Sequence, residues 1–491
     1  MRVPKALTVL VFLLAACSSV KLRVAPTQPS AASAAQVNNE APKLLDPPDA
    51  ADFDDPAKVT LTWQWTRALQ DDEYFDVRVW RANAPHYGIT WTKDTSMSLT
   101  NWLLEQPPGD FFWSIAVLVG DSEGEVLNMV TNEAPPRHFT IGSDVLAVND
   151  VIRVPAGFQA TKFAQLSDAA TESTAITVLT LGPDGKTFYV LTLDGRIFTL
   201  QDTDGDNVAD KMTPVFTNAN QTLNYAVGMA FHDGIMYISD GGRVGRLEDS
   251  DNDGMYDAYT PIARGFPTQE YVWHSNNGIA FGPDNKLYLA IGATSDHGPI
   301  KEKQESMILR MNPDGSDMEV VATGFRNPYD LTFSPKGELF TADNGPDTGP
   351  AGLPGNRWVE ELDYIRPGRD YGFPRVFGFP PPGDNSEPPV TEFLPHTASA
   401  GLVYYAATQF PEHYRNGIFV AQWGGSQDPN GHMVVFVPLT PTGDGRYKGD
   451  WEPFATFDIS TRPVDVTVGP DGALYIAEWT RGWIFRAAYT G

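Results

Sequence analysis

Down the second two-thirds of this 491-residue chain one short unit recurs: an apolar strand, a Pro-Asp-Gly-type turn, then a second apolar strand. It reads LTLGPDGKTFYVLT at 179–192, MAFHDGIMYISD at 229–240, IAFGPDNKLYLAI at 279–291, LTFSPKGELFTAD at 331–343 and VTVGPDGALYIAE at 466–478. A weaker copy at 402–422 carries a longer linker through Phe410 and Pro411. A fixed hairpin repeated at roughly 40–60 residues marks a radial array of blades. Each blade buries its faces only against its neighbours, so the array has to close on itself. The repeat predicts an all-β chain whose larger part, 150–491, is a six-bladed β-propeller preceded by a small antiparallel β-sandwich. Function is then expected at the mouth of the central channel.

The sandwich is read at 51–145. VTLTWQW places Val59, Leu61, Trp63 and Trp65 on one face, YFDVRVW places Phe75, Val77 and Val79, and DFFWSIAVLV alternates Phe111, Trp113, Ile115, Val117 and Val119. Period-two runs broken by Pro, Gly and Asp turns predict strands with one buried face. The pattern resembles a fibronectin type III or immunoglobulin-like module. Its tryptophans are expected in the core, Trp91 and Trp102 least firmly.

The N-terminus is punctuated differently. Arg2 and Lys5 precede a short apolar run from Ala6 to Ala16, too short to span a bilayer as a mature helix. It ends in Leu14-Ala15-Ala16-Cys17-Ser18, which resembles the lipobox of bacterial lipoproteins, with cleavage before Cys17 and acylation of that residue. Cys17 is the single cysteine, so no disulfide can form within the chain. Residues 1–17 are thus expected to be a lipoprotein signal. Residues 18–50, rich in Ala, Ser, Pro, Gln and Asn, are expected to tether a lipid-anchored body outside the cytoplasm, in the periplasm or at the cell surface. The net charge of -27 opposes binding to phosphate backbones and argues against a nucleic-acid partner.

Two acidic segments share one grammar. Asp202, Asp204, Asp206 and Asp210 alternate around Gly205, and Asp249, Asp251, Asp253 and Asp257 alternate before and after Gly254. Carboxylates at alternate positions with a Gly-permitted turn suit a hard cation. Without one, each carboxylate pair at 4 Å costs about 1 kcal/mol even in bulk water. Structural calcium is the expectation for both loops.

Other motifs follow the repeats: His274-Ser275-Asn276-Asn277-Gly278; Gly324-Phe325-Arg326-Asn327-Pro328; Asn344-Gly345-Pro346; Tyr371-Gly372-Phe373-Pro374; and Arg462-Pro463-Val464-Asp465-Val466. In this order, over 154–489, the chain resembles the glucose/sorbosone dehydrogenase family, six-bladed propellers several of which bind pyrroloquinoline quinone (PQQ) with Ca²⁺. The resemblance implies roles residue by residue. His274 matches the base that takes the sugar's hydroxyl proton while hydride passes to the quinone. Arg326 and Asn327 match residues that polarise the quinone oxygens and hold the ring. Gly345 and Pro346 match backbone carbonyl ligands of a catalytic Ca²⁺. Arg462 matches the first of two arginines over the cofactor carboxylates. The second is Val464 here, Trp273 replaces an acidic residue found in some glucose-oxidising members, and no lysine takes the place of the family's cofactor-binding lysine.

The expected function is therefore PQQ- and calcium-dependent oxidation of an aldose or similar sugar, with electrons passed to a soluble acceptor or a cytochrome. Two alternatives stand beside it. One is a non-catalytic propeller that binds carbohydrate or protein, which the missing cations favour. The other is a calcium-dependent lactonase-type hydrolase.

Overall fold

The computed structural model describes residues 41–53, 59–81, 88–99, 103, 109–120, 126–141, 151–166, 174–268, 276–347, 358–425 and 430–491. Cys17, the lipobox, most of the expected tether, His274 and Trp102 lie outside the described residues. Among the described residues, no helix is long and apolar enough to cross a membrane. The chain divides into two compact units, Met1–Ala147 and Val148–Gly491.

In the first unit, Lys43–Asp46, Thr60–Gln64 and Ser96–Ser98 form one sheet. A larger sheet runs through Ala51–Phe53, Arg137–Ile141, Gly109–Gly120, Glu73–Arg81 and Gly88–Thr92, with Val126–Met129 also paired to Gly109–Gly120. Pairing is antiparallel except between Ala51–Phe53 and Arg137–Ile141. Trp63, Phe75, Phe111 and Trp113 lie in the core, as their alternation predicts, and Phe139 joins them there. Trp91 is half-buried, with its ring 5.8 Å from that of Tyr74.

The second unit is the six-bladed propeller. The innermost strands are Ile176–Leu181, Gly228–His232, Asn276–Phe281, Pro328–Phe333, Ser399–Tyr404 and Pro463–Val468. Each packs on the next, and the sixth packs on the first. The outermost strand of blade six comes from the start of the unit: Phe158–Gln165 pairs antiparallel with Trp483–Tyr489. Ile152–Arg153 likewise adds to blade five through Phe457 and Thr456. The two ends of the unit are therefore hydrogen-bonded together and the ring has no open seam.

The repeated turn has a local cause. Its fourth residue is left-handed in each copy that carries the Pro-x-Gly or Pro-x-Asn form, at Gly185, Asn285, Gly337 and Gly472, with φ of 65°, 58°, 80° and 78°. Only Gly or Asn adopts this routinely. The strands on either side are apolar on both faces because each face meets another blade. Met229 and Ile238 of blade two pack on Leu191 and Ile197 of blade one, and Leu331 and Leu339 of blade four pack on Tyr288 and Ala290 of blade three. In the weaker copy, Phe410 sits fully buried among the rings of Phe158, Tyr405 and Phe454, which accounts for the longer linker.

Antiparallel order sets which segments share an end of the ring. The start of an innermost strand, the end of the second strand and the loop into the third lie together. The Pro-Asp-Gly turns and the loops from third to fourth strand lie at the other end.

Candidate functional site

Arg326 and Asn327 enter the innermost strand of blade four, and Asp343 ends its second strand, Leu339–Asp343. Gly345 to Asp347 follow directly. Asp296 and His297 lie between the second and third strands of blade three. Trp423 follows Gly417–Gln422, Arg462 precedes Pro463–Val468, and Arg481 follows Leu474–Glu478. All of these therefore occupy one end of the propeller.

Arg326 is only 3% exposed. Its Nη2 donates to Asp296 Oδ1 at 2.7 Å and to Asp347 Oδ2 at 3.2 Å. Asp343 holds the turn from below, accepting the backbone N–H of Arg326 at 3.0 Å and of Asn327 at 2.6 Å. Burial pushes the Asp343 carboxyl up to about 7, against those two N–H donors and the Arg326 charge. Asp296 is the hub of the cluster: its Oδ1 also accepts the backbone N–H of Asp347 at 2.7 Å, and its Oδ2 lies 3.0 Å from His297 Nδ1.

Asn327 belongs to an asparagine belt that links four blades. Asn276 accepts from Gly242 N–H at 2.7 Å and donates to Asp240 O at 2.9 Å, joining blades two and three. Asn277 Nδ2 donates to Asn327 Oδ1 at 2.8 Å, Asn327 Nδ2 to Asn344 Oδ1 at 3.2 Å, and Asn344 Nδ2 to the carbonyl of Ser399 in blade five. Asn327 thus ties blades three and four at the mouth. Gly345 is tight for a separate reason: a Cβ there would lie 2.2 Å from the Val359 carbonyl oxygen.

Across the ring, the Arg462 guanidinium lies 4.3 Å from the centre of the Trp423 ring, a cation–π contact. Trp479 meets Trp423 edge-on at 6.0 Å. Val464 is in the core between blades six and one, so it carries no charge to the mouth. A second buried cation nevertheless stands here: Arg481 donates to Thr461 Oγ1 at 2.7 Å and Ser460 Oγ at 2.8 Å. Glu478 joins the two arginine segments, accepting from Arg481 N–H at 2.7 Å and Arg462 N–H at 3.4 Å.

A second set of buried carboxyls runs outward along blade four. Glu361 pairs across the strands with Asp343, and Asp363 with Thr341. Burial, then the Asp343 charge, pushes Glu361 up to about 8. Burial, then Glu361, raises Asp363 well above the ordinary range. Among the described residues no donor reaches either oxygen of Asp363. Burial thus favours the protonated form of these groups, and a hard cation would compete with those protons.

Below the mouth, a central cavity of about 350 Å³ is lined by all six innermost strands. Two carboxylates face it. Asp465 of blade six accepts Leu179 N–H of blade one at 2.7 Å, and Asp330 of blade four accepts Leu402 N–H of blade five at 3.4 Å. Burial pushes Asp330 up to about 6, and burial and then Asp330 raise Asp465 further.

The aspartate loops lie at the opposite end, each between the third and fourth strands of its blade, one in blade one and one in blade two. Oxygens of Asp202, Asp204 and Asp210 lie within 4.8 Å of one another, as do those of Asp249, Asp251 and Asp253. Asp206 accepts Val208 N–H at 2.8 Å, and Asp257 accepts the N–H and hydroxyl of Ser250, both at 2.9 Å, so these two fasten the turns.

The structure therefore gathers Arg326, Asn327, Gly345, Pro346 and Arg462 at one end and separates all eight loop aspartates from them. Arg481, Asp296, Asp363 and the Asp330–Asp465 pair are additions. Glu361-Leu362-Asp363 alternates as a half-exposed strand would, but in a blade the polar face is also covered.

A family profile described as Domain of unknown function (DUF7133) matches residues 183–488, and the chain belongs to that family. An uncharacterized protein of Borreliella burgdorferi is 32% identical over 225 residues, 42% of this chain and 58% of that protein. Quinoprotein glucose dehydrogenase B of Acinetobacter calcoaceticus is 25% identical over 138 residues, 22% of this chain and 27% of that enzyme. The matches thus span 58% and 27% of the length of these curated relatives. Among solved structures, the holo PQQ domain of pyranose dehydrogenase from Coprinopsis cinerea aligns with a TM-score of 0.54 at 17% identity, over 69% of this chain and 97% of that one. The all-β fold and the resemblance to PQQ-dependent sugar dehydrogenase propellers are both borne out.

Proposed function

We propose that this protein oxidises an aldose or related sugar with PQQ and Ca²⁺, and that Cys17 anchors it by lipid outside the cytoplasm. The observation that carries the reading is the pair of buried arginines at the same end as Arg326, Arg462 on the face of Trp423 and Arg481, whose segment meets that of Arg462 through Glu478. PQQ is a flat tricarboxylate, and two buried guanidiniums with an aromatic face suit such a ligand. Arg462 and Arg481 would hold its carboxylates, and the carbonyls of Gly345 and Pro346 would face its Ca²⁺. When bound, the cofactor supplies a two-electron quinone acceptor.

The chain's own residues do the rest. The asparagine belt and Asp343 fix the loops of blades three and four, so polar groups are presented without reorganisation. A histidine accepts the hydroxyl proton; by resemblance that residue is His274. The aspartate loops would bind structural Ca²⁺ at the far end. The sandwich would act as a spacer or docking module, and a protein acceptor would take the electrons.

The test is dye reduction over a panel of aldoses, with and without PQQ in excess Ca²⁺. PQQ-dependent turnover is expected. A second reading, a propeller that binds carbohydrate or protein without redox chemistry, draws on one observation: Arg326 already faces two carboxylates, at 2.7 and 3.2 Å. It predicts sugar or protein binding with no PQQ-dependent reduction.

A further inference from the structure

Among the described residues one histidine is buried: His432, 4% exposed, just before the third strand of blade five, Met433–Pro438. Its ring is bonded on both sides. Nδ1 lies 2.9 Å from the carbonyl oxygen of Thr461, and Nε2 lies 2.9 Å from that of Gly425. A carbonyl oxygen only accepts, so each contact needs an N–H, and a neutral imidazole carries one. Two acceptors at bonding distance therefore describe the imidazolium. The ring is rooted in blade five, where the His432 carbonyl accepts Phe457 N–H at 2.9 Å. The backbone at His432 is left-handed, with φ of 52°, a conformation that costs a non-Gly residue and persists where the surroundings fix it. The ring also lies against the Gly424 backbone, since a Cβ there would meet its Cδ2 at 2.5 Å.

The two carbonyls belong to the segments that present the cation–π pair. Gly425 lies two residues after Trp423, and Thr461 directly precedes Arg462. The Thr461 hydroxyl in turn accepts from Arg481 at 2.7 Å. We infer that His432 is a positioning residue of this mouth: as an imidazolium it clasps the 423–425 loop to the 461–462 segment, and on losing its second proton it lets one of them go. That proton leaves to solvent, and the bare nitrogen then turns a lone pair on a carbonyl oxygen. The protonated ring makes one bond more, so the clasp holds on the acid side and loosens as pH rises. The charged and titratable side chains on the segments around the ring are Asp458, Arg462, Arg481 and Glu478, with Arg153 and Glu452 on the outer strands and Glu360 and His396 beside Thr397. Among the described residues none of their carboxylates bonds the ring. Asp458 is taken by Ser460 and Thr461, and Glu478 by the N–H groups of Thr480 and Arg481. The clasp rests on the geometry of this chain, and only its effect on a cofactor rests on the sugar-oxidation reading above.

The test is nuclear magnetic resonance of the full-length protein carrying isotope-labelled histidine. A buried ring keeps its N–H protons in slow exchange, and the signal absent from His432→Gln assigns it. Across a titration from about pH 5 to 9, both ring nitrogens should carry a proton on the acid side and one should become bare toward the alkaline side. His432→Gln has one amide to donate and no proton to lose. Its deficit in melting midpoint against wild type should shrink at least about twofold across that range. If His432→Gln does not fold, the wild-type ring is still identified by its slow exchange and decides alone. A ring with one bare nitrogen throughout, or with both protons throughout, overturns the proposal, as does a deficit that does not change with pH. A PQQ titration in excess Ca²⁺ forms the separate arm. Wild-type affinity should fall about threefold or more from acid to alkaline pH, and that of His432→Gln should not. An equal fall in both means that the ring does not position the arginines, and overturns the proposal. A wild type that binds no PQQ ends the sugar-oxidation reading and leaves the clasp to be decided by the ring titration.

Discussion

Removing the Arg326 charge tests whether this guanidinium is the counterion that holds the mouth together. In Arg326→Met the side chain keeps its apolar stem but leaves Asp296 and Asp347 without the partner now at 2.7 and 3.2 Å. Arg326 is 3% exposed, so solvent does little to replace it. Breaking a buried pair from one side typically costs 3–5 kcal/mol, because a charge is left buried and uncompensated. The loss should appear as a fall of about 3–5 kcal/mol in urea unfolding and of roughly 5–10 °C in melting midpoint. It should also depend on pH in a defined sense. Burial already raises the Asp347 carboxyl, and losing Arg326 raises it further. The folded variant then holds protons that the unfolded chain releases, so its stability falls as pH rises. The deficit should therefore grow as pH rises. Arg326→Lys should fall between, since it keeps the charge but not the planar fork. A loss under about 1 kcal/mol at pH 8, or one that does not vary with pH, would refute the assignment.

The raised carboxyls of blade four make a second pH prediction. Asp343 and Glu361 titrate near 7 and 8 in the folded chain, above the ordinary range. Their contribution is fully present below about pH 4 and lost as pH rises through 7–8. In chelator, urea unfolding should show stability lost between pH 5.5 and 8.5, of order 2 kcal/mol for Asp343 alone, and a rise instead would count against it. Ca²⁺ at pH 8.5 should reverse part of that loss, and Ca²⁺ added near pH 6.5 should release protons, measurable by calorimetry in two buffers. Asp465→Ala removes the acceptor of Leu179 N–H and should cost about 1–3 kcal/mol. At the far end, Asp202→Ala combined with Asp249→Ala should abolish the melting shift that Ca²⁺ gives through the loops, and an undiminished shift would place that calcium elsewhere.

Much of the fold was legible because the hairpin repeat is enforced by local chemistry. The left-handed position in the turn admits Gly or Asn, and the strands are apolar on both faces because both meet other blades. The strand that closes blade six was less legible, since Phe158–Gln165 pairs with a partner more than 300 positions away and no local pattern encodes that. At the site, Arg326, Asn327 and Arg462 were visible as motifs. What they touch was not, because the partners come from different blades: Asp296 and Asp347 for Arg326, Asn277 and Asn344 for Asn327, Trp423 for Arg462. Arg481 was hidden in a Thr-Arg-Gly turn that reads as a surface loop yet is 3% exposed. Val464 left the mouth one arginine short in sequence, and the fold brings Arg481 to that end instead.

The central claim is that this end of the propeller is a PQQ site built on Arg462 and Arg481. The direct measurement is titration of PQQ into the full-length protein in excess Ca²⁺, followed by cofactor absorbance, beside Arg462→Met and Arg481→Met. The account predicts one PQQ per chain at micromolar cofactor or below, with affinity falling at least about tenfold in each variant, as expected for loss of a charge-assisted bond of about 1.5–3 kcal/mol. Absence of binding in wild type at tens of micromolar cofactor, or variants that bind as wild type does, would contradict it.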